Sequence, residues 1–507
     1  MKGSTSLNKF KLVCLLKGMV IKLNLKEQNS TPIYSAIEAY SCEDITHFDV
    51  PGHKKRNNPE LEAAFGSRIL KMDANSTPAL DMLNNPTGVI AKSERLLALA
   101  YGADEAFMLV NGSTSGVQYM ILTACRPMDK IIIPRNVHKS AINALILSGA
   151  HPVFVEPEVD AEYGIMNGVK FENIKKAILD NLDAKAVFLI NPTYFGAASD
   201  IRSIVKLAHR HKMAVLVDEA HGGHFPFHPE LPVSAMEAGA DMSAVSVHKT
   251  CGALTQCSAL LLNERHFKRS QLRATINLFQ TTSASYILLS SIDIARRKLA
   301  LQGEAIFGNL LKLTEAAKKE IAAIPGLSVL TREYIDGAGV YDYDETKIVV
   351  RVNDLGLTGF EVYDILKNDY NVQAELAESY VVLFVTSIGD DAGTIAKLTQ
   401  TLADISRRFY GKRERFTISM EGLLAKPRTV VNPREAFYGD KRQVPIDEAV
   451  GEVCADSIMI YPPGIPLAIP GEQLTREIID FYKFYKTQGG IVVNDEENPD
   501  YINILGQ

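Results

Sequence analysis

Between about residues 90 and 265, short apolar, β-rich runs alternate with stretches whose apolar residues recur every three or four positions. Few folds accept that alternation. Parallel strands need crossover helices between them, so the pattern predicts a mostly parallel sheet covered by helices. Strands are expected at 106–110, 130–134, 152–156, 186–190, 214–217 and 244–247, with amphipathic crossover helices at 173–181 and 201–211. A seven-stranded α/β domain accommodates them.

Past residue 290 the pattern changes. A helix is expected over 292–323, stopped by Pro325-Gly326, and it reads as a linker into a second domain. That smaller α+β domain should contain a strand at 347–352, a helix at 360–367, a strand at 381–385 and a closing helix at 392–410. Pro427, Pro433, Pro445, Pro462, Pro463, Pro466 and Pro470 then favour extended turns over long elements. The 507 residues exceed one hydrophobic core. The expected organisation is an N-terminal extension and arm (1–55), a large domain (56–300), a small α+β domain (301–420) and a C-terminal subdomain (421–507), without internal repeats.

Charge narrows the partners. With 54 Lys and Arg against 60 Asp and Glu, the net charge of -6 gives no reason to invoke nucleic acid or an anionic membrane, which favour basic surfaces; a cationic small molecule fits better. The cysteines at 14, 42, 125, 251, 257 and 454 form no CxxC pair, so neither a zinc site nor a disulfide framework is indicated and a reducing cytoplasm is expected. Near the start, the apolar patch at 13–16 is interrupted by Lys17 and Lys22, too short for a membrane span and without a cleavage site for secretion. Met19 shortly precedes a polar stretch at 24–31, so residues 1–18 read as an upstream extension or a misassigned start.

Chemistry concentrates where strands end. In Val110-Asn111-Gly112-Ser113-Thr114-Ser115-Gly116 a strand runs into a glycine-bearing polar turn, and a helix follows with Val117, Met120, Ile121 and Ala124 on one face. Free N–H groups at that helix start, with two hydroxyls, make an anion cradle; the alternative is that Ser113 or Thr114 simply caps the helix. Asp218 follows the run Met213-Ala214-Val215-Leu216-Val217 and so sits at the carboxyl end of a strand, where open α/β folds bind ligands. A carboxylate there can hold a pyridinium nitrogen protonated. It can also cap a helix, or ligate a metal with Glu219, His221 and His224, although no metal is expected.

Lys249 stands in Ser246-Val247-His248-Lys249-Thr250, again after a strand, among hydroxyl and imidazole groups that favour use over solvation. His138 occupies another strand-end loop, Arg135-Asn136-Val137-His138-Lys139-Ser140, where an imidazole can stack on a ring, handle a proton or merely be a satisfied loop residue.

Taken together, these residues resemble the ornithine/lysine/arginine decarboxylase family of fold-type I pyridoxal-phosphate enzymes, from about residue 30 to 480. The supporting strings include Phe48-Asp49-Val50-Pro51-Gly52-His53-Lys54, Pro86-Thr87-Gly88, Pro192-Thr193-Tyr194-Phe195-Gly196, Asp218-Glu219-Ala220-His221-Gly222, Leu254-Thr255-Gln256 and Gln280-Thr281-Thr282-Ser283. Tyr461-Pro462-Pro463-Gly464-Ile465-Pro466 leads on to Pro470-Gly471-Glu472. The resemblance implies pyridoxal 5'-phosphate held as a Schiff base on Lys249, Asp218 against its ring nitrogen and His138 stacked over the ring. Ser113, Thr114, Ser246 and His248 would hold the phosphate, with Ala220 and His221 completing the pocket. Thr281, Thr282 and Ser283 would reach the phosphate of a neighbouring subunit, making the active sites features of a homodimer or higher oligomer. Glu472 would face the distal end of the substrate. Lys249 and His248 are the candidates for returning a proton to Cα.

Three departures stand out: Ser113 and Val247 where threonines are expected, and Glu452 where an arginine is. The family also has long members with an N-terminal receiver-like wing, and this chain resembles the short form. The implied reaction is decarboxylation of a basic amino acid in polyamine biosynthesis, with arginine to agmatine preferred over lysine to cadaverine or ornithine to putrescine. An aminotransferase or lyase on the same fold, and a catalytically silent regulatory homologue, are the rivals.

Overall fold

The computed structural model describes residues 10–16, 19–56, 58–335, 339–417, 427–461, 464–488, 490–493, 498 and 500–506. The expected upstream extension at 1–18 lies partly outside them, as do Pro462 and Pro463. Phe10–Leu16 and Met19–Asn24 form an antiparallel hairpin.

Seven strands make the central sheet: β1 (Glu105–Leu109), β2 (Lys130–Pro134), β3 (His151–Val155), β4 (Ala186–Ile190), β5 (Ala214–Asp218), β6 (Met242–Val245) and β7 (Ser258–Leu262), in the order β1-β7-β6-β5-β4-β2-β3. β2 runs parallel to β3 and β4, with Ile132 opposite Val153 and Val187. β7 runs antiparallel to both β1 and β6, so those two point the same way. The expected α/β class with a mixed, mostly parallel sheet is what the chain forms.

Six strands were legible; β7 was not. Its sequence, Ser-Ala-Leu-Leu-Leu, has no alternation and no β-branched residue, and all five residues are buried. Two antiparallel neighbours impose the strand where local propensity is silent. The strand expected at 244–247 lies earlier, at Met242–Val245, and Val247 instead opens a one-turn helix, Val247–Thr250, that carries Lys249.

The chain divides into two compact units, residues 1–123 with 217–307, and residues 124–216 with 308–507. Within the second, Ser328–Val329, Lys347–Arg351, Val381–Val385 and Leu376–Ala377 build a four-stranded antiparallel sheet. Ile348, Val350 and Val382 on it share a core with Val362 and Leu366 of the Gly359–Tyr370 helix and Leu398, Leu402 and Ile405 of the Ala392–Phe409 helix. The long helix anticipated at 292–323 begins earlier, spanning Tyr286–Ala322.

The C-terminal prolines do not prevent a three-turn helix, Arg476–Thr487, because none lies beyond residue 470 before it. Thr475 caps it, accepting the Ile478 N–H, and Ile478, Ile479, Phe481, Tyr482 and Tyr485 are buried. Among the described residues no helix is long and apolar enough to cross a membrane.

Candidate active site

In the first unit, strand ends deliver most of the expected residues to one place. β1 ends at Leu109, and Gly112–Ala124 begins a helix at once. Gly112 has φ +72, a left-handed conformation that costs a side-chain-bearing residue energy, and its N–H donates to Gln256 O at 2.9 Å. The helix packs tightly on the sheet at Gly116, where a Cβ would meet Ala244 Cβ at 3.0 Å and Leu109 Cδ1 at 3.1 Å. The first-turn N–H groups of Ser113, Thr114 and Ser115 have no carbonyl a turn earlier in the helix, which leaves them available to an anion.

Facing that turn is the N-cap residue of the Lys249 helix. Ser246, fully buried, donates its hydroxyl to Ser113 Oγ at 2.8 Å. Serine at 113 in place of threonine therefore keeps a hydroxyl in the cradle. Lys249 Nζ lies 2.9 Å from His221 Nε2; with the lysine as ammonium, the imidazole accepts. His248 Nδ1 stands 3.0 Å from Cys257 O, and since a carbonyl only accepts, that nitrogen carries the proton.

Asp218 ends β5 and is buried. Its Oδ1 accepts the Ala220 N–H at 3.1 Å, which is the part Ala220 plays. Burial pushes the Asp218 carboxyl up, while the Lys249 charge and the Ala220 N–H pull it down. A buried carboxylate in this balance favours a further cation, and a protonated ring nitrogen supplies one. The neighbouring acid and histidine have other work: Glu219 accepts from Ala235 N at 2.8 Å and from Ser243 Oγ at 2.9 Å, and His224 packs edge-on against Phe225.

A cavity of about 280 Å³ opens beside the helix start, lined in part by Asn111, Ser115, Tyr119, Phe279, Gln280 and Thr281. Its far wall is the loop after the Arg269–Asn277 helix, where Phe279 stacks on Tyr119 with centroids 6.1 Å apart. That helix is pinned by Arg273, which donates to the buried Glu94 carboxylate at 2.7 Å and to Leu83 O at 3.1 Å. Thr281, Thr282 and Ser283 are exposed on the loop.

His138 and Glu472 belong to the second unit. His138 caps the Lys139–Ser148 helix: its Nδ1 accepts the Ser140 N–H at 3.2 Å, which fixes the imidazole orientation and leaves Nε2 carrying the proton in the neutral ring. Glu472 is fully buried and forms an ion pair with Arg135 at 2.8 Å. The partner Arg135 was missed in the sequence although it opens the His138 loop, because the two lie 337 positions apart. Glu452, where an arginine was expected, sits 3.6 Å from Arg442.

Solved structures share this architecture. The lysine decarboxylase of Francisella novicida superposes with a TM-score of 0.81 over 95% of this chain and 82% of its own, at 20% identity, which speaks to the fold. In sequence, the arginine decarboxylase of Bacillus subtilis strain 168 is 40% identical over 474 residues, 93% of this chain and 96% of the relative. The arginine decarboxylase of Halalkalibacterium halodurans is 38% identical over 94% of this chain and 97% of its own. Residues 31–394 match the major domain of Orn/Lys/Arg decarboxylases, and residues 417–490 match their C-terminal domain. The chain belongs to the Orn/Lys/Arg decarboxylase family, a family of carboxy-lyases.

Proposed function

We propose that this chain decarboxylates L-arginine to agmatine with pyridoxal 5'-phosphate carried on Lys249, as a step toward polyamines. The observation that carries the reading is the meeting, within one unit, of the Lys249 amine, the buried Asp218 carboxylate and the Ser113–Ser246 hydroxyl pair at a helix start. The residues fit the cofactor group by group: an amine for its aldehyde, an anion for its ring nitrogen, and hydroxyls with free N–H groups for its phosphate. When bound, it supplies an electron sink conjugated to the substrate's Cα.

The chain's own residues do the rest. Ser113, Thr114, Ser246 and the first-turn N–H groups would hold the phosphate, a role also assigned to His248. Asp218 keeps the positive charge on the ring side of the pocket, a stabilisation that matters most as negative charge develops at Cα. His221 holds the Lys249 amine and takes up its proton, and Lys249 or His248 returns a proton to Cα after carbon dioxide departs. His138, its ring held by Ser140, would stack on the cofactor ring and favour cleavage of the carboxylate bond over the Cα–H bond.

Preference for arginine over lysine and ornithine rests on the relatives named arginine decarboxylase at about 40% identity. Thr282, exposed at its loop, is assigned to the phosphate of a second copy, so the working form is a homodimer or larger. The division into arm, large domain, small domain and C-terminal subdomain is retained, and a cytoplasmic setting accords with cysteines that are free among the described residues.

Incubating the holoenzyme separately with L-arginine, L-lysine and L-ornithine, and measuring amine product, tests the reading. Agmatine that disappears in Lys249→Ala supports it. Cadaverine or putrescine keeps the mechanism and changes the substrate, and the absence of any amine rejects decarboxylation.

A further inference from the structure

Glu472 was expected at the distal end of the substrate, but its contacts point elsewhere. It is fully buried, and Oε2 accepts from Arg135 at 2.8 Å and from the Ile469 N–H at 2.9 Å. Arg135 in turn donates to Pro466 O at 3.0 Å and Leu467 O at 3.1 Å. Its own N–H donates to Val155 O at 2.9 Å, and its guanidinium lies 5.3 Å from the Phe154 ring centroid. Every donor and acceptor in this group belongs to one compact unit.

Arg135 is the first residue of the loop that presents His138, and the loop is tied down at each step. The next residue, Asn136, donates from Nδ2 to Asn167 O at 3.0 Å, and Asn167 donates to Tyr334 Oη at 2.9 Å. Val137 is fully buried, and the Lys139 N–H donates to Gly464 O at 3.2 Å. The Arg135, Asn136 and Val137 side chains are thus buried, and the chain emerges at His138, half-buried, whose Nδ1 accepts the Ser140 N–H. The backbone that carries the imidazole is thus held by its neighbours, and the C-terminal segment 464–472 supplies several of those ties.

We propose that Glu472 and Arg135 are positioning residues: a carboxylate from the C-terminal domain braces the 135–140 loop through Arg135 and so orients His138 for the reaction. Glu472 then does not select the substrate's side chain. The inference rests on the cofactor role proposed for His138 and adds the device that aims it. The orphan oxygen is consistent: Glu472 Oε1 is buried without a hydrogen-bond partner among the described residues, so the pair is held at one oxygen and sensitive to its loss.

Three variants decide it. Glu472→Gln removes the charge but leaves Arg135 a buried, unpaired cation, which threatens folding by itself. The paired change Arg135→Met with Glu472→Leu leaves no unpaired buried charge and keeps apolar volume, so it should fold, with Tm lowered by the hydrogen bonds lost at Pro466 O, Leu467 O and the Ile469 N–H. His138→Ala is the reference. In the protein without cofactor, hydrogen exchange across 136–139 should accelerate about tenfold in the paired variant. In the holoenzyme the visible circular dichroism of the bound cofactor should change as it does in His138→Ala, and kcat for arginine should fall about tenfold with KM nearly constant.

Wild-type exchange and dichroism in the paired variant would overturn the brace. So would a raised KM, with altered choice among arginine, lysine and ornithine and an unchanged dichroism band, since that is the signature of substrate contact. An unchanged band in His138→Ala would instead overturn the cofactor role of His138, and exchange in the 135–140 loop would decide the brace by itself.

Discussion

Asp218 and Lys249 divide the labour at the scale of single side chains. Asp218 pays a desolvation cost that the Lys249 charge and one N–H only partly offset. Asp218→Asn should keep the shape, fold normally and lose the negative charge. We expect kcat to drop on the order of 100-fold at saturating cofactor, with little change in Tm, as steady-state kinetics and thermal unfolding would show. Both residues were legible in the sequence because strand-end positions in α/β folds are where ligand chemistry gathers. His221 was named there too, but its contact with Lys249 Nζ was not, since sequence spacing does not say which way a loop imidazole turns. For Glu472 nothing in the sequence signalled its partner: burial and an ion pair with Arg135 emerge only in the structure.

Among elements, the helix Gly112–Ala124 places the turn proposed to hold the phosphate by packing close to the sheet. Gly116→Val would push branched methyls into Ala244 and Leu109, already 3.0 and 3.1 Å from a single added Cβ. Overpacking of this kind costs about 1–3 kcal/mol and should lift the helix start. Denaturant unfolding would register the loss, and the apparent affinity for pyridoxal phosphate should weaken with it. Most elements were readable from apolar periodicity, including β2, β4 and the strand Val381–Val385, whose bounds coincide with expectation. β7 was hidden because a uniformly buried Ser-Ala-Leu-Leu-Leu run looks alike in helix and strand, and its partners across the sheet decide the matter.

For the molecule as a whole, acid–base balance and assembly give two checks. Burial pushes the Glu378 carboxyl up from 4.5 to about 8, against the hydrogen bond it accepts from Tyr485 at 3.0 Å. The folded chain therefore binds this proton more tightly than the unfolded chain. Its contribution to stability is present below pH 4.5 and is lost as pH rises toward 8. Glu378→Gln should flatten that part of the Tm-against-pH curve and raise Tm above pH 8 relative to wild type. Assembly is tested by mixing. If Thr282 serves a second copy, inactive Lys249→Ala and inactive Thr282→Glu chains refolded together should regain about a quarter of wild-type activity, because half the dimers are hybrids with one intact site each. No recovery would place Thr282 in its own chain's site or outside catalysis.

The sequence by itself determined the layered α/β class, the strand ends that carry Ser113, His138, Asp218 and Lys249, and the family, because periodicity and short motifs are local properties. Tertiary structure alone decided the reversed strand β7, the three-turn helix near the C-terminus, the Lys249–His221 contact and the Glu472–Arg135 pair. Each depends on burial or on a partner distant in the chain, and neither is written in the residues beside it.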